Sequence, residues 1–123
     1  MDLPLLLEPD QLEPLLDDNK LLIVGLTKPD IFASLHVPGA RYLDYNRIVA
    51  SQKPVAGLLP ETAHLEAVMQ EIGLDNDMQV VAYDEEGGGK AARLLWTRDC
   101  LGHHSWSLLN GGIHAWANEG HYR

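Results

Sequence analysis

Two uninterrupted apolar runs constrain this chain more than any other feature. Leu21-Leu-Ile-Val-Gly-Leu26 and Met78-Gln-Val-Val-Ala-Tyr83 are each of strand length and nearly free of polar residues. A strand with one wet face alternates apolar and polar positions, so such runs suit parallel strands covered on both faces. Parallel neighbours require crossovers, and helical patterns stand where the crossovers are needed. Asp10 is expected to open a short helix, with Glu13 as its capping-box partner and Leu12, Leu15 and Leu16 on one face; Pro14 keeps it short or irregular. Thr27 is expected to cap a second helix, with Asp30 near its start and Ile31, Phe32 and Leu35 facing the core. A third starts at Pro60-Glu61, carries Leu65, Val68, Met69 and Ile72 at i, i+3, i+4, i+7, and stops at Gly73.

The remaining segments continue the alternation. Pro38-Gly39 forces a turn, Ala40–Leu43 reads as a short strand, and residues 44–59 as a long connection. A helix is expected from Ala91 to about Leu101, a strand over Ser105–Leu109, a turn at Asn110-Gly-Gly112, and a last helix from Ile113 to about Asn118. This order predicts an α/β layered fold around a mainly parallel sheet. At 123 residues the chain is one domain long.

Charge and cysteine usage narrow the function classes. Nine Lys and Arg against eighteen Asp and Glu leave a net charge of −9, which argues against nucleic acid or an anionic membrane as partner. No stretch approaches the roughly 18 apolar residues of a membrane span. The N-terminus lacks a basic region, its apolar run being broken by Pro4 and ended by Glu8, so a cytoplasmic protein is expected. The single cysteine, Cys100, excludes an internal disulfide and a cysteine-rich zinc site.

Function in parallel sheets concentrates at the C-terminal ends of the strands. That rule selects the loop Asp84-Glu85-Glu86-Gly87-Gly88-Gly89-Lys90, which leaves one buried strand and enters a helix. Consecutive glycines let backbone N–H groups converge beside a helix N-terminus, an arrangement suited to an anion. Yet the loop carries its own anions, which would repel a dianionic substrate unless Lys90 and Arg93 offset them. The simplest reading is that Asp84, Glu85 and Glu86 cap the helix. A phosphate-binding loop fails on spacing, because Ala91 follows Gly89-Lys90 where Ser or Thr is required.

Other nucleophile and metal arrangements are weak. On the helix from Ala91, the row Ala92, Trp96, Cys100 is apolar whereas Lys90, Arg93, Thr97 is polar, so Cys100 is expected in the core as an inert thiol. The six histidines, at 36, 64, 103, 104, 114 and 121, show no metal-ligand spacing, and no cofactor motif is present. No nucleophile elbow or Ser/His/Asp set is visible either.

Three segments nevertheless carry a resemblance. Leu35-His-Val-Pro-Gly-Ala-Arg41, Val80–Trp96 with its glycine loop, and Leu108-Leu-Asn-Gly-Gly-Ile-His-Ala-Trp116 resemble, in this order and spacing, the signatures of the rhodanese family of sulfurtransferases, over about residues 5 to 121. The resemblance implies a three-layer fold with about five mainly parallel strands and helices on both faces, the whole of residues 1–123 forming one such domain. In a catalytic rhodanese domain a cysteine begins the loop that Asp84 begins here. Sulfane sulfur is carried as a persulfide on a thiolate, which a carboxylate cannot replace. The resemblance thus puts Asp84 at the nucleophile position and implies no catalytic residue in this chain.

Two further departures point the same way. Gly25 stands where the family tends to place Asp, and Leu35 where it places Gly. The Cys-x5-Arg loop of related phosphatases is absent. The segment Val80–Trp96 is similar to the silent N-terminal half of two-domain thiosulfate sulfurtransferases, and Gly120-His-Tyr-Arg123 falls where such a tandem would enter its linker. The implied partner is a second, cysteine-bearing rhodanese domain, through which a donor such as thiosulfate would act. The other implied identity is a stand-alone inactive module with a binding or regulatory role. A domain normally covered by a partner should also expose an apolar patch larger than a monomer usually shows.

Overall fold

The computed structural model describes residues 3–52, 55–58, 60–74 and 77–118. Its centre is a five-stranded parallel sheet. The elements run β1 (Leu6–Leu7), α1 (Pro9–Leu12), a 3-10 turn (Glu13–Leu15), β2 (Leu21–Gly25), α2 (Pro29–Ser34), β3 (Arg41–Tyr42) and a second 3-10 turn (Tyr45–Ile48). There follow β4 (Ala50–Gln52), β5 (Val55–Leu58), α3 (Thr62–Glu71), β6 (Gln79–Tyr83), α4 (Gly89–Cys100), β7 (Trp106–Leu109) and α5 (Gly112–Asn118). Strand order is β1-β7-β6-β2-β3, while β4 and β5 form a separate antiparallel pair.

Both long apolar runs lie at the sheet's centre, where every residue of β2 and β6 is buried. They pair in register from Leu21 opposite Gln79 to Gly25 opposite Tyr83. Because strand side chains alternate faces, the sheet supplies two cores. Leu22, Val24, Val80 and Ala82 meet Leu65, Val68, Met69 and Ile72 of the α3 segment and Ala91, Leu94 and Leu95 of α4. Leu21, Ile23, Val81 and Tyr83 meet Leu7, Leu12, Ile113 and Trp116 on the other face. Three layers with helices on both faces follow directly from this division.

Local chemistry moves several boundaries. Helix α1 begins at Pro9, whose missing N–H suits a first helical position, so Glu8 is the N-cap. Its backbone N–H donates to Gln11 Oε1 at 2.9 Å, leaving Gln11, not Glu13, as the box partner. Pro14 gives the expected irregularity as the 3-10 turn at Glu13–Leu15. Pro29 likewise fixes the start of α2, making Lys28 the N-cap; Thr27 instead donates its hydroxyl to the Lys28 carbonyl. No residue of α2 is buried, so Ile31 and Phe32 are half-covered and do not enter the core as expected. Leu35, just past its end, packs half-buried against the core of Leu7, Tyr83 and Trp116 as expected. The stretch 44–59 holds a 3-10 turn and a hairpin, with Lys53, Pro54 and Leu59 outside the described residues. Gly73 ends α3 with φ +87°, and Pro38-Gly39 turns with φ +80° at the glycine.

Helix α4 corrects a larger expectation. Its buried stripe is Ala91, Leu94, Leu95, Thr97 and Arg98. The apolar row Ala92, Trp96, Cys100 faces outward, so Cys100 is exposed and is not a core residue. Arg98 can end the buried stripe because its guanidinium Nη2 donates to the Met78 carbonyl at 2.8 Å. A buried polar group with a partner costs little, and so residue type alone misassigned the two faces. Among the described residues no helix is long and apolar enough to cross a membrane.

Candidate functional site

The loop 84–90 leaves β6 at the C-terminal end of the sheet, where α4 begins. Two of its glycines have left-handed backbones, Gly87 at φ +91° and Gly88 at φ +102°. That geometry gathers N–H groups, and the anion they gather around is the side chain of Asp84. Its Oδ1 accepts from Glu86 N at 2.8 Å and Gly88 N at 2.9 Å, and its Oδ2 accepts from Ala91 N at 2.9 Å. Asp84 is 1% exposed. A carboxylate sharing charge with several N–H donors at a helix N-terminus is a strong cap.

The other two acids behave differently. Glu85 accepts from Lys28 N at 3.3 Å and lies 3.9 Å from Lys90 Nζ. Glu86 pairs with Lys90 at 3.6 Å across one helical turn. Capping is therefore the work of Asp84 alone, and Glu85 and Glu86 are not caps, contrary to expectation. Lys90 is occupied by both acids. Arg93 lies over the Trp96 ring, 4.9 Å from its centroid. Tyr42 at the end of β3 shares this end of the sheet; its hydroxyl pKa is raised by burial and then by Asp44, with Lys90 opposing.

The backbone around Asp84 is equally closed. Its carbonyl accepts from Ile113 N at 3.2 Å, joining the loop to α5. A Cβ at Gly112, where φ is +60°, would stand 2.3 Å from that carbonyl oxygen. The glycine pair of Asn110-Gly-Gly112 thus permits this close approach. Tyr83, just before the loop, is fully buried, and its hydroxyl accepts from Val37 N at 3.2 Å. Burial pushes its pKa up to about 12. A Cβ on Gly25 would fall 2.8 Å from that hydroxyl and 3.0 Å from the Phe32 ring, so no larger residue fits there. His36 stacks on Phe32 with centroids 4.6 Å apart and bonds the Phe32 carbonyl through Nδ1 at 2.8 Å.

These arrangements define what the site can do. The N–H groups of Glu86, Gly88 and Ala91 are already engaged by Asp84, the loop's cation is paired, and it contains no thiol. Cys100, at the far end of α4, lies about 16 Å along the axis from Gly89, at roughly 1.5 Å per residue. His64 bonds the Arg47 carbonyl at 3.0 Å, and His104 pairs with Asp99 at 2.5 Å. His121 lies outside the described residues. Among the described residues no group of three His, Cys, Asp or Glu could hold a metal ion.

The roles of Tyr83, Gly112 and Arg98 were not anticipated. Only the Gly-Gly pair offered a signal, since two glycines before a helix suggest a close backbone approach. Residues 8–119 match the rhodanese-like domain family. The chain belongs to the rhodanese family. It is 46% identical over 115 residues to the thiosulfate sulfurtransferase of Pseudomonas aeruginosa, covering 94% of this chain and 42% of that protein. It is 40% identical over 117 residues to the thiosulfate sulfurtransferase of Azotobacter vinelandii, covering 95% and 43%. Its rhodanese fold superposes on a 3-mercaptopyruvate sulfotransferase from Escherichia coli with TM-score 0.83 at 24% identity, over 95% of this chain and 48% of that one. The rhodanese domain described here therefore spans less than half the length of these relatives.

Proposed function

We propose that this chain is the catalytically silent N-terminal domain of a two-domain, thiosulfate:cyanide-type sulfurtransferase. Its partner is a second rhodanese domain of the same parent chain, which bears the cysteine. In the parent, that thiolate attacks the sulfane sulfur of thiosulfate; the S–S bond breaks, sulfite leaves, and the enzyme holds a persulfide. Cyanide then takes the sulfur as thiocyanate and restores the thiolate. The domain described here forms one wall of the cleft, with the loop 84–90 near the interface.

One observation carries the reading: the Asp84 carboxylate occupies the position where the loop's N–H groups converge. In a catalytic relative those donors would face a sulfur anion. Here the N–H groups of Glu86, Gly88 and Ala91 donate instead to a carboxylate, a group unable to form an S–S bond. Cys100 does not supply the missing thiol, because it sits at the C-terminal end of α4, about 16 Å along the axis from the start of the helix at roughly 1.5 Å per residue.

The isolated chain should show no thiosulfate-to-cyanide transfer. Asp84→Cys should slowly gain a cyanide-labile persulfide at residue 84, detected by mass spectrometry. Substantial transfer by the unmodified chain would overturn the proposal. A reading frame that ends without a cysteine-bearing second domain would instead favour a stand-alone inactive module with a binding or regulatory role.

A further inference from the structure

We infer that the apolar groove between β1, β7 and α4 is the seat of the second domain, a deepening that rests on the two-domain reading. The groove encloses about 410 Å³ and is lined by Leu5, Leu6, Ala92, Trp96, Trp106 and Leu108, with Leu95 at its base and Asp99 at its end. Leu5 is 62% exposed, and Leu6 and Trp96 are each 49% exposed. They are the described domain's large exposed hydrophobic side chains, and all three fall in this one place. Isolated surface leucines need no explanation, but a contiguous set centred on a tryptophan is the composition of an interface core.

The groove is also prepared for desolvation. Asp99 is its one charged lining residue. That carboxylate accepts from the Trp106 indole Nε1 at 3.2 Å and pairs with His104 at 2.5 Å. A partner covering the groove would therefore not strand an unpaired charge. Beside it, β1 is the edge strand, bonded to β7 on one side only.

Two facts select the occupant. The Pseudomonas aeruginosa relative, of which 115 residues are 42%, is about 270 residues long. That leaves roughly 150 residues beyond a domain of this size, the ordinary length of one more domain. A second copy of this chain is the poorer fit, because each copy carries a net charge of −9 and the two would repel. An intramolecular partner also meets the groove at high effective concentration, without the association cost of a separate molecule.

The experiment uses the protein expressed from the complete reading frame. A benzophenone-bearing amino acid at position 92, which is exposed, is photolysed and the cross-linked peptides are mapped. Separately, Trp96→Glu is compared with the parent protein for its rate of proteolytic cleavage between domains. The expected result is cross-linking to the second domain and at least tenfold faster cleavage in the variant, with the melting of the 123-residue domain unchanged. Should a second domain be present yet neither cross-link nor respond to Trp96→Glu, the groove assignment falls and the two-domain reading stands. Cross-links between identical copies would also overturn it, in favour of a homodimer. A reading frame without a second domain overturns the two-domain reading itself, and the groove assignment with it.

Discussion

Helix α4 borders two regions that resolve their chemistry in opposite ways. At its N-terminus, the glycine loop concentrates backbone donors and looks built to receive an anion. The chain supplies that anion itself, so the region is closed: Asp84 is buried and accepts three N–H bonds. Along its outward row, Ala92 and Trp96 read as core residues and yet lie open beside Leu5 and Leu6. At the loop the Asp84 carboxylate and the N–H groups around it satisfy one another within the domain, whereas the apolar demand of the outward row is left for something else to meet. An unmet hydrogen bond at a buried donor costs about 1–3 kcal/mol per group, which few folds tolerate, while an exposed leucine costs only the burial it forgoes.

The sharpest way to break this contrast is to open the closed region. Asp84→Ala strands the N–H groups of Glu86, Gly88 and Ala91 together. The expected loss is about 3–5 kcal/mol in urea unfolding, given the charge-assisted bonds removed. High sulfate should restore part of it, because the vacated cradle would accept a free anion. A loss below about 1 kcal/mol would mean that the loop does not depend on its own carboxylate.

Tyr83 tests the floor beneath the same loop with a somewhat smaller effect. Its pKa is raised from 10.0 to about 12 by burial. Between those values the unfolded chain releases the phenolic proton while the folded chain keeps it. Stability is therefore fully present below pH 10 and falls as pH rises towards 12, by about 2–3 kcal/mol at roughly 1.4 kcal/mol per unit. Tyr83→Phe should flatten that alkaline limb. At neutral pH it should cost about 1–2 kcal/mol, because Val37 N loses its acceptor. Chemical denaturation across pH 8–12, read against the wild type, checks both parts.

Much of the fold was legible in the sequence, for identifiable reasons. The runs Leu21–Leu26 and Met78–Tyr83 admit one interpretation, and the parallel sheet with its two covered faces follows from them. The α3 stripe was equally clear, since Leu65, Val68, Met69 and Ile72 all enter the core. Helix α4 misled because Arg98 satisfies itself on the Met78 carbonyl, which lets a charged residue lie inside and an apolar row lie outside. The loop was located correctly, but its glycines suggested an open cradle. Nothing in Asp84-Glu85-Glu86 distinguishes the acid that folds inward from the two that pair with Lys90, because that choice depends on backbone angles at Gly87 and Gly88.

The open region should respond weakly to the changes that cripple the closed one. Leu5→Ser, at a position 62% exposed, should shift the stability of the isolated domain by no more than about 0.5 kcal/mol. Urea unfolding of the isolated domain checks it, since Leu5 contributes mostly exposed apolar surface. A larger destabilisation would show that the groove is packed internally and would erase the contrast between the two regions.

The smallest effect is expected at the groove's end. The His104 hydrogen bond, and then that of Trp106, hold the Asp99 carboxyl below its ordinary value of 3.8. A lowered carboxylate pKa stabilises the folded form above 3.8, and the benefit disappears as pH falls through the lower folded value. Both partners lie at the surface, so solvent screening keeps the contribution slight. The useful readout is therefore the Trp106 indole N–H resonance, not a melting curve. It should move as acid protonates Asp99, and the movement should vanish in Asp99→Asn. If the resonance in wild type stays fixed through that range, Asp99 is not bonded to the indole, and a partner seated in the groove would have to supply an acceptor for the indole N–H.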